Sequence, residues 1–270
     1  MSFGFIGTGN MGGALARAVA KAVDPKEVFL ANRTAQKAEL LAQETGAQHT
    51  DDKYIVEKAD YIFLGVKPQM MKGLLTDLKE NLTKRSLKNE RFILVTMAAG
   101  LEIDTIKNMA GGDYPVIRIM PNTPVGIGEG VVLVCYDDHI TEEEKQTFKD
   151  ALKESGLIVE IPENLIDAGC CISGCGPAFV DMFVEALADG GVACGLPRKT
   201  ALLLASQMTA GAAKLILESG KHPAQLKDEV CSPGGSTIEG VRGLENAGFR
   251  GALMNAVFFA NLKNEQLKKH

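Results

Sequence analysis

Uninterrupted apolar runs alternate with amphipathic stretches through the first 162 residues. Phe3–Ile6, Val28–Ala31, Tyr61–Gly65, Phe92–Thr96, Val116–Met120, Val131–Cys135 and Leu157–Ile161 read as strands. Segments near 10–22, 34–45, 68–80, 101–110 and 141–153 carry helical spacing between them. A strand with no polar face is buried on both sides, which points to a parallel sheet covered by helices. The expectation is an α/β, doubly wound domain over residues 1–162.

The pattern changes after Pro162, and from 163 to 270 no convincing strand returns. Ala178–Asp189 places Asp181, Glu185 and Asp189 on one thin acidic stripe, and the rest of its circumference is apolar or small. Ala201–Leu217 is similar, with Ala205, Ala210, Gly211, Ala212 and Ala213 small enough for close helix contact. A helix apolar nearly all round is buried on several sides. A domain of about 105 residues has few such positions inside, so a second copy is expected to cover the excess, giving a symmetric homodimer. A higher ring of dimers stays open. Ser206, Gln207, Thr209 and Lys214 interrupt 201–217, whereas a bilayer core needs about 20 largely apolar residues, so a buried helix is expected rather than a membrane span.

Charge narrows the partners. The 270 residues carry a formal charge of -5 with acids and bases interspersed, so no basic stripe invites nucleic acid. Met1–Asn10 has no basic n-region and reads as a strand and turn, which makes the expected location cytoplasmic. Of the six cysteines none forms a CxxC pair, and none of the four histidines is spaced to join them, so no metal site is expected. Reduced, packed thiols are expected, with Cys170, Cys171 and Cys175 as a redox-sensitive alternative.

The first strand runs straight into Ile6-Gly7-Thr8-Gly9-Asn10-Met11-Gly12, a GxGxxG that opens a helix. Gly7 suits the tight turn, Gly9 the approach of a pyrophosphate, and Gly12 close strand–helix packing. The free amides of the helix start then face the phosphates. Strand, motif and helix in this order mark a Rossmann-type dinucleotide site. The second strand ends Ala31-Asn32-Arg33-Thr34 where an NAD enzyme carries an acid. Arginine pairs with a 2′-phosphate, so Asn32 and Arg33 favour NADPH, an exposed surface arginine being the other reading.

Near the C-terminus, Ser232-Pro233-Gly234-Gly235-Ser236-Thr237 reads as a turn before a new helix, with Ser236 and Glu239 spaced as a capping box. Bare amides after Gly-Gly suit a carboxylate or phosphate. A plain corner between two helices fits the same residues.

Together these segments resemble the pyrroline-5-carboxylate reductases along essentially the whole chain. The similar stretches are Gly4 to Gly12, Val66-Lys67-Pro68-Gln69, Ala98-Ala99-Gly100, Met120-Pro121-Asn122-Thr123-Pro124, Ser173 to Ala178, Asp189-Gly190-Gly191 with Gly195-Leu196-Pro197, and Ser232 to Thr237 with Leu244-Glu245. The resemblance implies a Rossmann domain followed by an all-helical dimerisation domain. It implies an oxidoreductase acting on CH–NH groups, which reduces L-1-pyrroline-5-carboxylate to L-proline in the last step of proline biosynthesis. By the same resemblance Ser232, Gly234, Gly235, Ser236 and Thr237 hold the substrate carboxylate, and the Thr237 hydroxyl faces the ring nitrogen. Val66, Lys67, Pro68, Ala98, Ala99 and Asn122 lie around the cofactor's ribose and nicotinamide. The chain departs from the family at Asp52, where members often carry asparagine beside the cofactor. That acid opposes Arg33 and leaves NADH open as a second cofactor.

Imine reduction needs orientation and hydride but no strong base, since the nitrogen gains a proton. The β-hydroxyacid dehydrogenases share the layout but need a base to oxidise an alcohol. Their lysine and asparagine positions after the second GxG correspond here to Val180 and Val184, which cannot serve. A non-catalytic NADPH sensor is the remaining alternative, against which the intact Ser232 and Thr237 weigh.

Overall fold

In the computed structural model, which describes residues 1–267, strands form where consecutive apolar residues leave no polar face to solvate, the short, polar and exposed Gln48–His49 being the exception. They are β1 (Phe3–Ile6), β2 (Val28–Ala31), β3 (Gln48–His49), β4 (Tyr61–Leu64), β5 (Ile93–Thr96), β6 (Val116–Pro121), β7 (Gly130–Tyr136) and β8 (Gly156–Glu160). Every residue of β1, β2, β4, β5 and β6 is buried. The sheet order is β3-β2-β1-β4-β5-β6-β7-β8. The chain therefore winds outward from β1 and then back across it to β4, and β1 and β4 form the switch point where ligands bind in such sheets.

The expectation of an all-parallel sheet is corrected at one pair. β6 and β7 run antiparallel, and all other neighbours are parallel. A short 3-10 turn, Thr123–Ile127, links them, far less than the dozen or more residues a parallel crossover requires.

Seven helices cover the sheet: α1 (Asn10–Ala22), α2 (Ala35–Thr45), α3 (Asp52–Lys58), α4 (Pro68–Leu87), α5 (Ile103–Ala110), α6 (Glu142–Leu152) and α7 (Ile166–Ser173). On one side Leu15 and Val19 of α1, Leu41 of α2 and Phe148 of α6 pack with Phe3, Phe5 and Phe63. On the other, Ile55 of α3, Leu75 and Leu82 of α4, Ile106 of α5 and Ile166 of α7 pack with Ile6, Ile62 and Leu94. Each such buried side chain contributes about 1.5–3 kcal/mol. α4 runs past the expected end near 80 because Leu82 and Arg85 continue its buried face. The Arg85 guanidinium donates to the carbonyls of Val56, Ala59 and Arg91, at 2.7, 2.6 and 2.9 Å.

Packing groups residues 1–174 with the segment from Asn261 as one unit, and Cys175–Ala260 as another. This differs from the expected boundary at 162/163, because α7 belongs to the sheet. Arg118 on β6 has no exposed surface and pairs with Glu163 and with Asp167 of α7, both at 3.2 Å. The Glu163 carboxylate also accepts from the Ile103 amide at 2.8 Å.

The second unit is built from α8 (Gly176–Ala193), α9 (Arg198–Ser219), α10 (Pro223–Glu229), α11 (Ser236–Asn246) and the first part of α12 (Phe249–Leu267). α8 and α9 pack through Ala188, Ala201 and Ala205. The expectation of a buried helix at 201–217 is corrected for the single chain. Of its small residues Ala201 and Ala205 are buried; Ala210, Gly211, Ala212 and Ala213 are exposed, as are Leu203 and Met208. Glu163–Ala193 and Arg198–Ser219 are long and apolar enough, by length and composition alone, to cross a membrane.

Candidate active site

The glycine loop is a contact of backbone on backbone. Gly7 has φ +101°, and its amide donates to the Ala31 carbonyl at 2.8 Å while the Gly65 amide donates to the Ile6 carbonyl at 2.8 Å. A Cβ at Gly7 would lie 2.6 Å from the Gly65 carbonyl oxygen, and one at Gly12 or Gly65 would overlap the Gly7 carbonyl oxygen. Gly9 meets nothing within 4 Å and is exposed. It caps α1 with no side-chain hydrogen bond. The first helical bond runs from the Gly13 amide to the Gly9 carbonyl, so the amides of Asn10, Met11 and Gly12 have no intrahelical partner.

Asn32 braces this loop. Its Oδ1 accepts from the Thr8 amide at 3.1 Å, and its Nδ2 donates to the Thr34 carbonyl at 3.1 Å. The Thr8 hydroxyl is buried with no hydrogen-bond partner among the described residues. An open glycine, three open amides and an orphaned hydroxyl fit a bound phosphate group. Ile6 lies in the core beneath, Met11 is half-buried and Asn10 is exposed.

Beyond the end of β2, a hollow of about 740 Å³ is lined by residues that include Asn32, Arg33, His49, Thr50, Asp51 and Asp52. Arg33 is exposed. Asp52 is half-buried, and burial first, then the nearby charges of Asp51 and Asp77, push its carboxyl above the ordinary range. His49 sits on the two-residue β3 and Asp52 opens the seven-residue α3, neither of which the apolar pattern announced.

A second cleft, of about 460 Å³, lies among Pro68, Gln69, Ala99, Gly100, Leu101, Met120, Asp167, Cys170 and Asn264. Pro68 and Ala99 were expected at such a place; Asp167, Cys170 and Asn264 were not. Their segments read only as helix, and nothing in their spacing marks a site. Asn264 Nδ2 donates to the Asp167 carbonyl at 3.4 Å. Val66 is half-buried, Lys67 caps α4 ahead of Pro68, and Ala98 is buried behind Thr96. Asn122 is a brace: its Oδ1 accepts from the Val131 amide at 2.8 Å and its Nδ2 donates to the Ser173 carbonyl at 2.9 Å.

In the second unit the Ser232–Thr237 segment forms a tight turn ahead of α11. Gly234 has φ +67°, and the Gly235 amide donates to the Ser232 carbonyl at 3.0 Å. The expected capping box is not formed. Gly235 is the cap and Ser236 the first helical residue, with no side-chain cap bond, because the Pro-Gly-Gly turn delivers the chain one residue earlier. Ser232, Gly234, Ser236 and Thr237 are exposed, and the first amides of α11 lack intrahelical partners.

Among the described residues no group of three or more His, Cys, Asp or Glu is placed to hold a metal. None of the six cysteines forms a disulfide. Burial pushes the Cys135 thiol up to about 11, which makes it unreactive at neutral pH.

Known proteins match the chain end to end. Residues 163–267 match the family model described as pyrroline-5-carboxylate reductase dimerisation, and residues 2–96 match one described as NADP oxidoreductase coenzyme F420-dependent. The chain thus carries a dimerisation domain. A pyrroline-5-carboxylate reductase of Glycine max is 40% identical over 271 residues, covering 98% of this chain and 96% of its own. The solved pyrroline-5-carboxylate reductase of Coxiella burnetii superposes with a TM-score of 0.91 at 28% identity, covering 100% and 99%. That of Plasmodium falciparum, with NADP bound, gives 0.84 at 31% identity, covering 99% and 98%. On full-length similarity at this level, the chain belongs to the pyrroline-5-carboxylate reductase family.

Proposed function

We propose that the chain is a cytoplasmic, homodimeric reductase that converts L-1-pyrroline-5-carboxylate to L-proline with NADPH, the last step of proline biosynthesis. One observation carries this reading. Two glycine turns, at Gly7–Gly12 and at Gly234–Gly235, each lead into a helix whose first amides are open and uncapped by side chains. Each is suited to an anion, and family membership supplies the two anions: a dinucleotide pyrophosphate and a small carboxylate.

The amides of Asn10, Met11 and Gly12 hold the pyrophosphate, with the Thr8 hydroxyl beneath and Arg33 at the adenosine end. The open positions at Gly9 and Gly234 let phosphate and carboxylate approach the main chain. Val66, Lys67, Pro68, Ala98 and Ala99 border the ribose and nicotinamide, while Asn122 holds that border in place. Ser232 and the amides from Gly234 to Thr237 grip the substrate carboxylate and fix the ring. A bound reduced nicotinamide supplies the hydride that the imine carbon accepts. Thr237 donates a hydrogen bond to the ring nitrogen, which takes its proton from water, so no residue need act as a strong base.

The direct test is NADPH consumption by the purified protein with and without pyrroline-5-carboxylate, with proline measured as product. Substrate-dependent oxidation is expected, and its absence overturns the assignment. Thr237→Ala should lower kcat about tenfold or more, the value of one well-placed hydrogen bond, and leave the NADPH Kd within about twofold. Unchanged kinetics would remove Thr237 from the mechanism.

A further inference from the structure

The hollow past β2 holds an acid that the dinucleotide reading leaves unused. The pairing Leu30↔His49 and the bond from the Thr50 amide to the Leu30 carbonyl, 2.9 Å, pin the segment after β3 against the end of β2. Arg33 and Asp52 each lie three residues beyond that pair, and both wall the same hollow. Asp51, its neighbour, is committed: its carboxylate caps α3 by accepting from the Tyr54 amide at 2.8 Å. Asp52 is half-buried, and among the described residues no ion pair or hydrogen bond to its carboxylate is formed. The charges that bear on it most are those of Asp51 and Asp77, both negative. Lys53 and His49 also line the hollow, Lys53 exposed and His49 toward Glu39 at 3.8 Å.

We propose that Asp52 sets cofactor specificity: its carboxylate opposes a 2′-phosphate on the adenosine ribose and accepts hydrogen bonds from unmodified ribose hydroxyls. The preference that Arg33 creates for NADPH is thereby blunted. Arginine offers a planar fork to the phosphate, while an uncompensated carboxylate in the same hollow repels it. A carboxylate is also the group that suits a ribose diol in NAD sites. The inference rests on the proposed dinucleotide site, and the experiment separates the failure of one from the failure of the other.

Asp52→Asn keeps the size of the side chain and removes its charge. Because the folded state disfavours that charge, the variant should melt at the wild-type temperature or above it, which verifies folding independently. Dissociation constants are measured on the full chain for NADPH and NADH by cofactor fluorescence, and for 2′,5′-ADP and ADP by calorimetry. The last pair report the adenosine end without chemistry. In Asp52→Asn the ratio of NADH to NADPH dissociation constants should rise about tenfold, the order expected for one charge in a solvent-open site, and 2′,5′-ADP should gain on ADP equally. Arg33→Gln should move both ratios the opposite way. If Arg33→Gln weakens NADPH and 2′,5′-ADP while Asp52→Asn leaves both ratios unchanged, the site stands and the role of Asp52 is refuted. If neither variant changes any of the four constants, the adenosine end binds elsewhere and both readings fall.

Discussion

Alanine at Gly9 and alanine at Gly12 add the same methyl group to two different surroundings. Gly9 has φ −69°, which any residue adopts, and its missing side chain faces open space. Gly12 faces the carbonyl oxygen of Gly7, main chain that cannot swing aside. Gly9→Ala should therefore fold with its melting temperature within about 2 °C of wild type, well under the shift of a 1 kcal/mol change, and lose dinucleotide affinity by tenfold or more. Gly12→Ala should cost about 1–3 kcal/mol or more, as overpacking does. Thermal melts beside NADPH titrations decide it, and a Gly9→Ala protein that binds NADPH like wild type would show that no phosphate sits there. At this scale the sequence is legible where a motif is local. The glycine spacing announces the loop, but the brace from Asn32 to Thr8 and the one from Asn122 to Ser173 join residues 24 and 51 apart, and only the fold brings them together.

Two segments carry the serine/threonine-x-x-glutamate pattern of a capping box, and only the one not singled out from the sequence forms it. At α6, Thr141 accepts from the Glu144 amide at 3.3 Å, and the Glu144 carboxylate accepts from the Thr141 amide at 2.9 Å. At Ser236 and Glu239 the glycine turn has already taken the cap position. Element type was thus readable from periodicity, while caps, the direction of β7 and the short β3 and α3 depended on connections whose geometry the pattern does not encode. Glu144 also receives the fork of Arg91, at 2.5 and 2.9 Å. That bond first, against the opposing effect of burial, and then the Thr141 amide hold its carboxyl below the ordinary range. A lowered folded value means stabilisation present above the unfolded carboxylate value and lost as pH falls through the folded one. Glu144→Gln should therefore be less stable than wild type by about 1 kcal/mol at pH 7, the size of a cap with a partly exposed ion pair. The gap should close toward pH 3. Urea unfolding at both pH values tests this, and a gap that stays constant would mean that the charge contributes nothing.

At the scale of the whole molecule, the helices of the second unit leave more apolar surface uncovered than a single chain can keep in water. Leu203, Met254 and Phe259 are 68, 72 and 64% exposed, and scattered single residues do not account for a surface repeated on α9 and α12. The sequence made this visible in advance, since Ala201–Leu217 has no broad polar face to turn toward solvent. The polar residues Ser206, Gln207, Thr209 and Lys214 that interrupt this helix argue against lipid as the cover and for a second copy of the chain. A dimerisation-domain match over residues 163–267 favours the second copy, and an obligate dimer buries 2,000 Å² or more of mainly apolar surface. Two measurements then separate the alternatives. Detergent-free protein at micromolar concentration should sediment as a dimer or a multiple of one, and its urea midpoint should rise with protein concentration, because unfolding is coupled to dissociation. Lysine at both Leu203 and Phe259 should shift the population toward monomer while the sheet domain keeps its glycine loop and binds 2′,5′-ADP. A wild-type chain that sediments as a soluble monomer, or one that disperses only in detergent, would rule out subunit packing as the cover for these helices.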